Sequence, residues 1–306
     1  MNRDLRHRQA GAALALTTAI TWGILPIGLK VALARLDVWT VTWWRFVGAT
    51  CIVGVWLAYH GRLPVVRRFG RRTWRWLAIA VAGLAGNYVL YAAGLHLTAP
   101  SVAQVVIQLA PFLLLFAGVI VFRERFSVRQ WVGCVVLLVG MLLFFNRRLP
   151  LLLQFTDRWT LGVFALVAGA VTWAAYGVAQ KVLARELGSL QTLWLLFVAC
   201  TALLLPFVRP AAVLGLDGVG VVALLFCILN SVLGYGAFGA ALDRWDVTRV
   251  SAVVSVAPLF TVGFMLLAAR LGVAWISPEP IDLPVVAGAL LVVAGSMTAA
   301  LAGRRA

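Results

Sequence analysis

Thirteen polar or aromatic side chains fall inside long apolar stretches, at spacings that would let them meet a small molecule. Ser101, Gln104, Gln108 and Pro111 follow one another at +3, +4 and +3, and Thr248, Ser251, Ser255 and Pro258 repeat that interval. At 3.6 residues per turn each quartet occupies one helix face. Amides turned toward hydrocarbon are costly, so both faces are expected to point inward, at neighbouring helices or a wet cavity. Interhelical hydrogen bonds, about 0.6–2 kcal/mol each, are the plainer account. A cavity lining is the expectation carried forward, with Gln104→Leu impairing function and sparing the fold.

Pro111 and Pro258 each remove a backbone donor, which frees the carbonyls of Ile107 and Val254 for another partner or a kink. Pro26 does the same in the first apolar stretch. Trp22 and Trp173 lie near mid-stretch, away from the interfacial aromatic belt. Tyr176 and Gln180 follow Trp173 at +3 and +7, and Tyr88, Tyr91, Tyr235 and Phe238 extend the aromatic set. Such rings either pack or face a ligand. Asn87 and Asn230 need hydrogen-bond partners wherever they sit.

Three cations lie within or at the ends of these stretches. Lys30 and Lys181 each follow a tryptophan by eight residues, about 12 Å along a helix. Each either snorkels to the headgroups or attracts a carboxylate at one mouth of a pathway. Arg45 is deeper: it either binds a substrate anion or satisfies helix-end carbonyls as a gate. All ten acids (Asp4, Asp37, Glu124, Asp157, Glu186, Asp217, Asp243, Asp246, Glu279 and Asp282) fall in loops or at stretch ends. A carboxylate proton relay inside a bilayer is therefore not expected. Cys51, Cys134, Cys200 and Cys227 show no CxxC spacing and read as small hydrophobes, with no metal site or cofactor expected.

The elements that hold these residues must be membrane helices. Hydrophobic residues make up 63% of the 306, charged residues 12%, and mean hydropathy is +1.00, too few polar groups to cover a water-facing surface. Ten runs long enough to span are read at about 10–33, 38–59, 74–96, 101–122, 128–146, 158–183, 188–208, 219–241, 249–271 and 282–302. The runs are continuous rather than alternating, which excludes a β-barrel. The net charge of +16 sits in short loops and sets orientation rather than nucleic-acid binding. With the N-terminus inside, eighteen Lys and Arg fall on the inner side and six on the outer. Both termini are therefore expected in the cytoplasm of a multi-pass inner-membrane protein.

The chain also repeats itself. At an offset of 151, Gly11, Ala19, Thr21, Trp22, Lys30 and Val31 recur as Gly162, Ala170, Thr172, Trp173, Lys181 and Val182. At 147, Tyr88, Ala93, Val106, Ala110 and Pro111 recur as Tyr235, Ala240, Val253, Ala257 and Pro258, and at 155 Gly133 and Gly140 recur as Gly288 and Gly295. An insertion around Ser277-Pro278-Glu279-Pro280 matches the last increase. Five spans per half is odd, so the second half must enter from the opposite side. The expected architecture is an all-α membrane protein of ten helices, two inverted five-helix repeats over 10–146 and 158–302.

Trp22-Gly23, Lys30, Arg45, Tyr88, Tyr91, Pro111, Arg123-Glu124-Arg125, Gly133 and Gly140 occur in an order that resembles an EamA domain of the drug/metabolite transporter superfamily. Two copies cover nearly the whole chain. The second copy departs from the pattern, with Leu271 where Glu124 would recur and Leu196 near where Arg45 would. The resemblance implies a ten-helix transporter, commonly an exporter of amino acids or other small metabolites. No P-loop, HExxH or GxSxG occurs. The expectation is a non-enzymatic secondary transporter, an exporter of an amino-acid-like or carboxylate-bearing metabolite, working by alternating access at a midplane cavity. Its partners would be that small molecule and the bilayer. The competing readings are a membrane-embedded enzyme on lipid-like substrates, which needs clustered carboxylates or histidines, and a structural or regulatory subunit with a dry interior. Substrate-binding candidates are Trp22, Asn87, Tyr88, Tyr91, Gln104, Gln108, Trp173, Tyr176, Gln180, Asn230, Tyr235, Ser251 and Ser255. The gating cations are Lys30, Arg45 and Lys181, and the hinges Pro26, Pro111 and Pro258.

Overall fold

A computed structural model describes residues 2–66, 69–122, 127–154, 156–183, 187–242, 244–245, 247–273 and 282–302. Arg67, Arg68, Arg123-Glu124-Arg125, Arg185, Glu186, Asp243, Asp246, the insertion at 277–280, Arg304 and Arg305 lie outside the described residues. The described chain is helical: α1 (Asn2–Leu33), α2 (Val38–Tyr59), α3 (Arg71–Leu97), α4 (Pro100–Val106), α5 (Leu109–Phe122), α6 (Val128–Phe144), α7 (Arg158–Leu183), α8 (Ser189–Leu204), α9 (Gly218–Leu242), α10 (Val247–Val254), α11 (Ala257–Arg270) and α12 (Leu283–Ala302). Among the described residues eight stretches are long and apolar enough to cross a membrane, and two shorter apolar helices, Pro100–Leu114 and Val128–Phe144, accompany them.

Capping sets most of the boundaries. Asp37 Oδ1 accepts from the Trp39 and Thr40 amides at 3.0 Å each. Asp157 accepts from Thr160 N, Asp217 from Gly220 N and Asp282 from Val285 N. The loop acids thus cap α2, α7, α9 and α12, where a carboxylate also meets the positive end of the helix dipole. Ser127 and Gln130 form a reciprocal capping box at α6. Gly61 and Gly272, at φ 62° and 65°, end α2 and α11 in the left-handed region that glycine tolerates.

The helices pack in pairs that exchange of the two halves leaves unchanged. α1 packs on α9 as α7 packs on α3, while α2 packs on α8 and α6 on α12. Small residues allow backbones to meet. A Cβ added at Gly133 would lie 2.7 Å from Gly295 O, and one at Gly140 would lie 2.9 Å from Gly288 O. Because Gly133 faces Gly295 and Gly140 faces Gly288, α6 and α12 run antiparallel. α3 and α7 do the same, with Gly94 against Gly162 and Gly83 against Tyr176. Outward faces are apolar: Val222, Leu225, Leu229 and Leu233 on α9 are all exposed.

On one end of the bundle Arg35 and Asp217 join the two halves through a two-pronged ion pair of 2.6 and 3.0 Å. The hydrogen bond from Arg35 holds the Asp217 carboxyl below the usual carboxylate range. A depressed pKa contributes stability above the ordinary value, and that contribution is lost as pH falls through the depressed one. Asp217→Asn should therefore lower the melting temperature slightly at pH 7. The difference should vanish in strong acid and shrink at high salt, as pH-dependent thermal unfolding will read.

Candidate functional site

Two of the long apolar stretches are broken at matching places. The chain leaves the helix at Ile107–Gln108, between α4 and α5, and at Ser255–Val256, between α10 and α11. Each break lies just ahead of a proline, Pro111 or Pro258. The breaks touch, since Gln108 Nε2 donates to Ser255 O at 2.7 Å. The Ile107 carbonyl, expected to be free, accepts from Ala110 N at 2.9 Å in a tightened turn.

α1, by contrast, runs unbroken past Pro26. Pro26 has no N–H to give the Trp22 carbonyl, and Gln104 Nε2 supplies the hydrogen bond instead, at 3.0 Å. The adjacent carbonyls are also taken, Thr21 O by Asn230 Nδ2 at 2.6 Å and Gly23 O by Thr261 Oγ1 at 2.6 Å. Three consecutive carbonyls of α1 are thus held by side chains from α9, α4 and α11. Gln104 also accepts from the Tyr91 hydroxyl at 3.2 Å. This corrects the expectation that Gln104→Leu spares the fold. Leucine would leave the Trp22 carbonyl unpaired, at a cost of about 1–3 kcal/mol. The variant should therefore melt several degrees lower in detergent as well as lose function, and thermal unfolding of the purified protein will show it.

Beside the breaks lies a cavity of about 240 Å³. Ten of the thirteen substrate-binding candidates line it: Trp22, Asn87, Tyr88, Tyr91, Gln104, Gln108, Trp173, Tyr235, Ser251 and Ser255. Arg45 and Pro111 line it too. The remainder sit elsewhere. Tyr176 is buried on α7 against Trp173, with ring centroids 6.3 Å apart, and Gln180 is one turn further along. Asn230 is committed to α1. Pro26 and Pro258 are not among the residues that line it.

Neither lysine lines the cavity. Lys30 Nζ donates to the carbonyls of Leu95, His96 and Thr98 at 2.8, 2.8 and 2.6 Å. It closes the C-terminal end of α3, where unpaired carbonyls and the helix dipole favour a cation. Lys181 is exposed at the end of α7.

Arg45 is the charge in the cavity. It is 3% exposed, its Nε donates to Ser231 Oγ at 3.1 Å, and its guanidinium lies 4.3 Å from the centre of the Tyr88 ring. The Ser231 hydroxyl donates its own hydrogen bond to Cys227 O at 2.9 Å. Among the described residues no carboxylate lines the cavity. Contact with a ring face returns up to about 2 kcal/mol, well short of the cost of a cation out of water. The Ser296 side-chain oxygen, in a residue 4% exposed, makes no hydrogen bond there, while the Tyr88 hydroxyl faces those of Ser231 and Tyr235. The aromatic wall is continuous: Trp22 lies 5.3 Å from both Tyr235 and Phe238, and Tyr88 stacks on Tyr235 at 6.0 Å.

The sequence reading missed Ser231, Thr261 and the wall from α12 of Ser296, Ala299 and Ala300. Ser231 had a signal, four residues before Tyr235 and next to Asn230. The α12 wall had none, since small residues in an apolar run are also what helix packing uses.

The chain as a whole is similar to known proteins. The profile of the EamA-like transporter family matches residues 9–146 and again 160–301. An uncharacterized inner membrane transporter of Escherichia coli (strain K12), YhbE, is 40% identical over 300 residues, 96% of this chain and 92% of its own. An uncharacterized transporter of Haemophilus influenzae is 36% identical, over 95% of this chain and 94% of its own. A Salmonella typhimurium protein named "Probable amino-acid metabolite efflux pump" is 23% identical, over 92% of both chains. A crystal structure at 19% identity superposes with a TM-score of 0.69 over 96% of this chain and 99% of that one, a likeness of fold.

Proposed function

The chain belongs to the EamA-like transporter family, and on that premise we propose that it is a secondary transporter exporting a small carboxylate-bearing or amino-acid-like metabolite across the inner membrane. The observation that carries the substrate class is Arg45, a buried cation facing the cavity with no carboxylate beside it among the described residues. A substrate carboxylate would complete the pair that the protein leaves open, beside the hydroxyl groups of Tyr88 and Tyr235 in the lining. Trp22, Trp173, Tyr91 and Tyr235 would flank the substrate body, with Asn87, Gln104, Gln108, Ser251 and Ser255 presenting amide, hydroxyl and carbonyl groups.

The mechanism is alternating access about a cavity between two inverted five-helix repeats, 10–146 and 158–302, in a bundle of ten membrane-spanning segments. Three observations support it. The fifth helices, α6 and α12, run antiparallel at their paired glycines. The main helix pairs, α1–α9 with α7–α3, α2–α8 and α6–α12, keep their partners on exchange of the halves. The two broken segments meet at the cavity, where unwound backbone at membrane depth is tolerated. With both termini in the cytoplasm, as the inner excess of Lys and Arg implies, Leu114, Ser251 and Ala300 lie on the cytoplasmic side of mid-membrane. In an exporter loading from the cell interior these residues would line the entry, while Arg35 and Asp217 would tie the far side. Tyr176, Gln180, Asn230, Pro26 and Pro258 support the walls. Lys30 steadies the end of α3, and Lys181 marks the inner end of α7.

Counterflow in proteoliposomes tests this. Vesicles loaded with unlabelled acids from a panel of amino acids, monocarboxylates and dicarboxylates should accumulate the labelled acid for at least one member. A panel without any counterflow would contradict the function.

A further inference from the structure

The two unsatisfied ends of the cavity differ in charge. One holds the Arg45 guanidinium, on α2. The other holds the Ser296 hydroxyl, on α12, 4% exposed and without a hydrogen-bond partner. α2 packs against α3, α8 and α9, whereas α12 packs against α6, α10 and α11, so the two side chains enter from different walls. Ser251 joins Ser296 in the lining from α10, which packs on α12. Other polar groups there are already engaged, Ser255 Oγ with Ala252 O at 2.8 Å and Gln108 with Ser255 O. Between the ends the lining is mainly aromatic and aliphatic, including Trp22, Trp173 and Phe238.

A ligand spanning this space meets a positive pole, an apolar middle and a neutral hydroxyl pole. Resting on the carboxylate reading of Arg45, we propose that the substrate is a monocarboxylate whose far end carries a neutral hydrogen-bonding group, with Ser296 as the residue that selects that end. A second carboxylate at the Ser296 pole would find no cation among the described lining residues, and an ammonium would find no anion. Either charge would leave water without a partner of opposite sign. A hydroxyl or amide would instead satisfy Ser296 and be satisfied by it.

Isothermal titration of the purified full-length protein tests this with hexanoate, 6-hydroxyhexanoate, adipate and 6-aminohexanoate, and with their four- and five-carbon counterparts. At the best-fitting length the hydroxy acid should bind about fivefold more tightly than the plain acid, the value of one neutral hydrogen bond. The diacid and the amino acid should bind at least tenfold more weakly than the hydroxy acid. Ser296→Ala should erase the advantage of the hydroxy acid over the plain acid. Equal binding of the diacid or the amino acid overturns the proposal, and so does an advantage that persists in Ser296→Ala. Binding lost in Arg45→Gln yet indifferent to the far group overturns this inference alone. Failure of every acid to bind overturns the carboxylate reading, and this inference with it.

Discussion

Arg45→Gln weakens binding of the best acid in the monocarboxylate series by at least thirtyfold and does not lower the melting temperature of the ligand-free protein. The two halves of this expectation have one cause. In the unliganded cavity the guanidinium is held by one serine and one tyrosine face, which offset only part of its desolvation. Glutamine removes that cost and loses a ring contact of about 0.5–2 kcal/mol, so the fold gains or breaks even. With a carboxylate bound the balance reverses. Truncating one member of a buried charge pair costs about 2–5 kcal/mol, and 2 kcal/mol is already thirtyfold. Titration calorimetry and thermal unfolding on one preparation separate the outcomes. A variant that melts many degrees lower with affinity intact would make Arg45 a structural residue.

Gly295→Val should have the largest effect on folding. A Cβ at Gly295 would meet Leu137 N and lie 2.6 Å from Gly133 O, and Gly133 and Gly140 are equally crowded from the other side. Backbone cannot yield as a side-chain tip does, so α6 and α12 must separate. Overpacking usually costs about 1–3 kcal/mol, and valine at a backbone-to-backbone contact belongs at or above the top of that range. Little folded protein should survive size-exclusion chromatography in detergent. Gly263→Ala, where nothing lies within 4 Å of an added Cβ, is the matched control and should behave as wild type. A normal elution profile for Gly295→Val would show that the two helices do not meet as described.

Helix positions were legible in the sequence because apolar length is a strong signal. α2 and α7 span Val38–Tyr59 and Arg158–Leu183, the expected ranges. Expected spans 101–122 and 249–271 are each two helices, since hydropathy does not register a break of two residues inside an apolar run. The polar faces were legible from spacing: Ser101, Gln104, Gln108 and Ser255 are all at least 94% buried. What each polar group does was not. Gln104, Asn230 and Lys30 bind carbonyls of other helices, 65 or more residues away in sequence, and only the tertiary fold brings those carbonyls within reach. The described acids were read as loop residues, and four of them proved to be helix caps, a distinction set by a few ångströms. Arg45 was seen as a buried cation with two possible roles. Its neighbours favour the anion site, because one serine and one ring are its partners among the described residues and no helix-end carbonyl is.

The claim that a water-accessible cavity opens to each side in turn is tested most directly at Ser251, which lines it from α10. Cys51, Cys134, Cys200 and Cys227 are replaced by alanine, Ser251 by cysteine, and a membrane-impermeant maleimide is applied to either face of sealed, oriented vesicles. The account predicts labelling from each face, with the ratio of the two rates shifted by an acid that binds. Labelling from one face only, whatever is bound, or from neither, would contradict it.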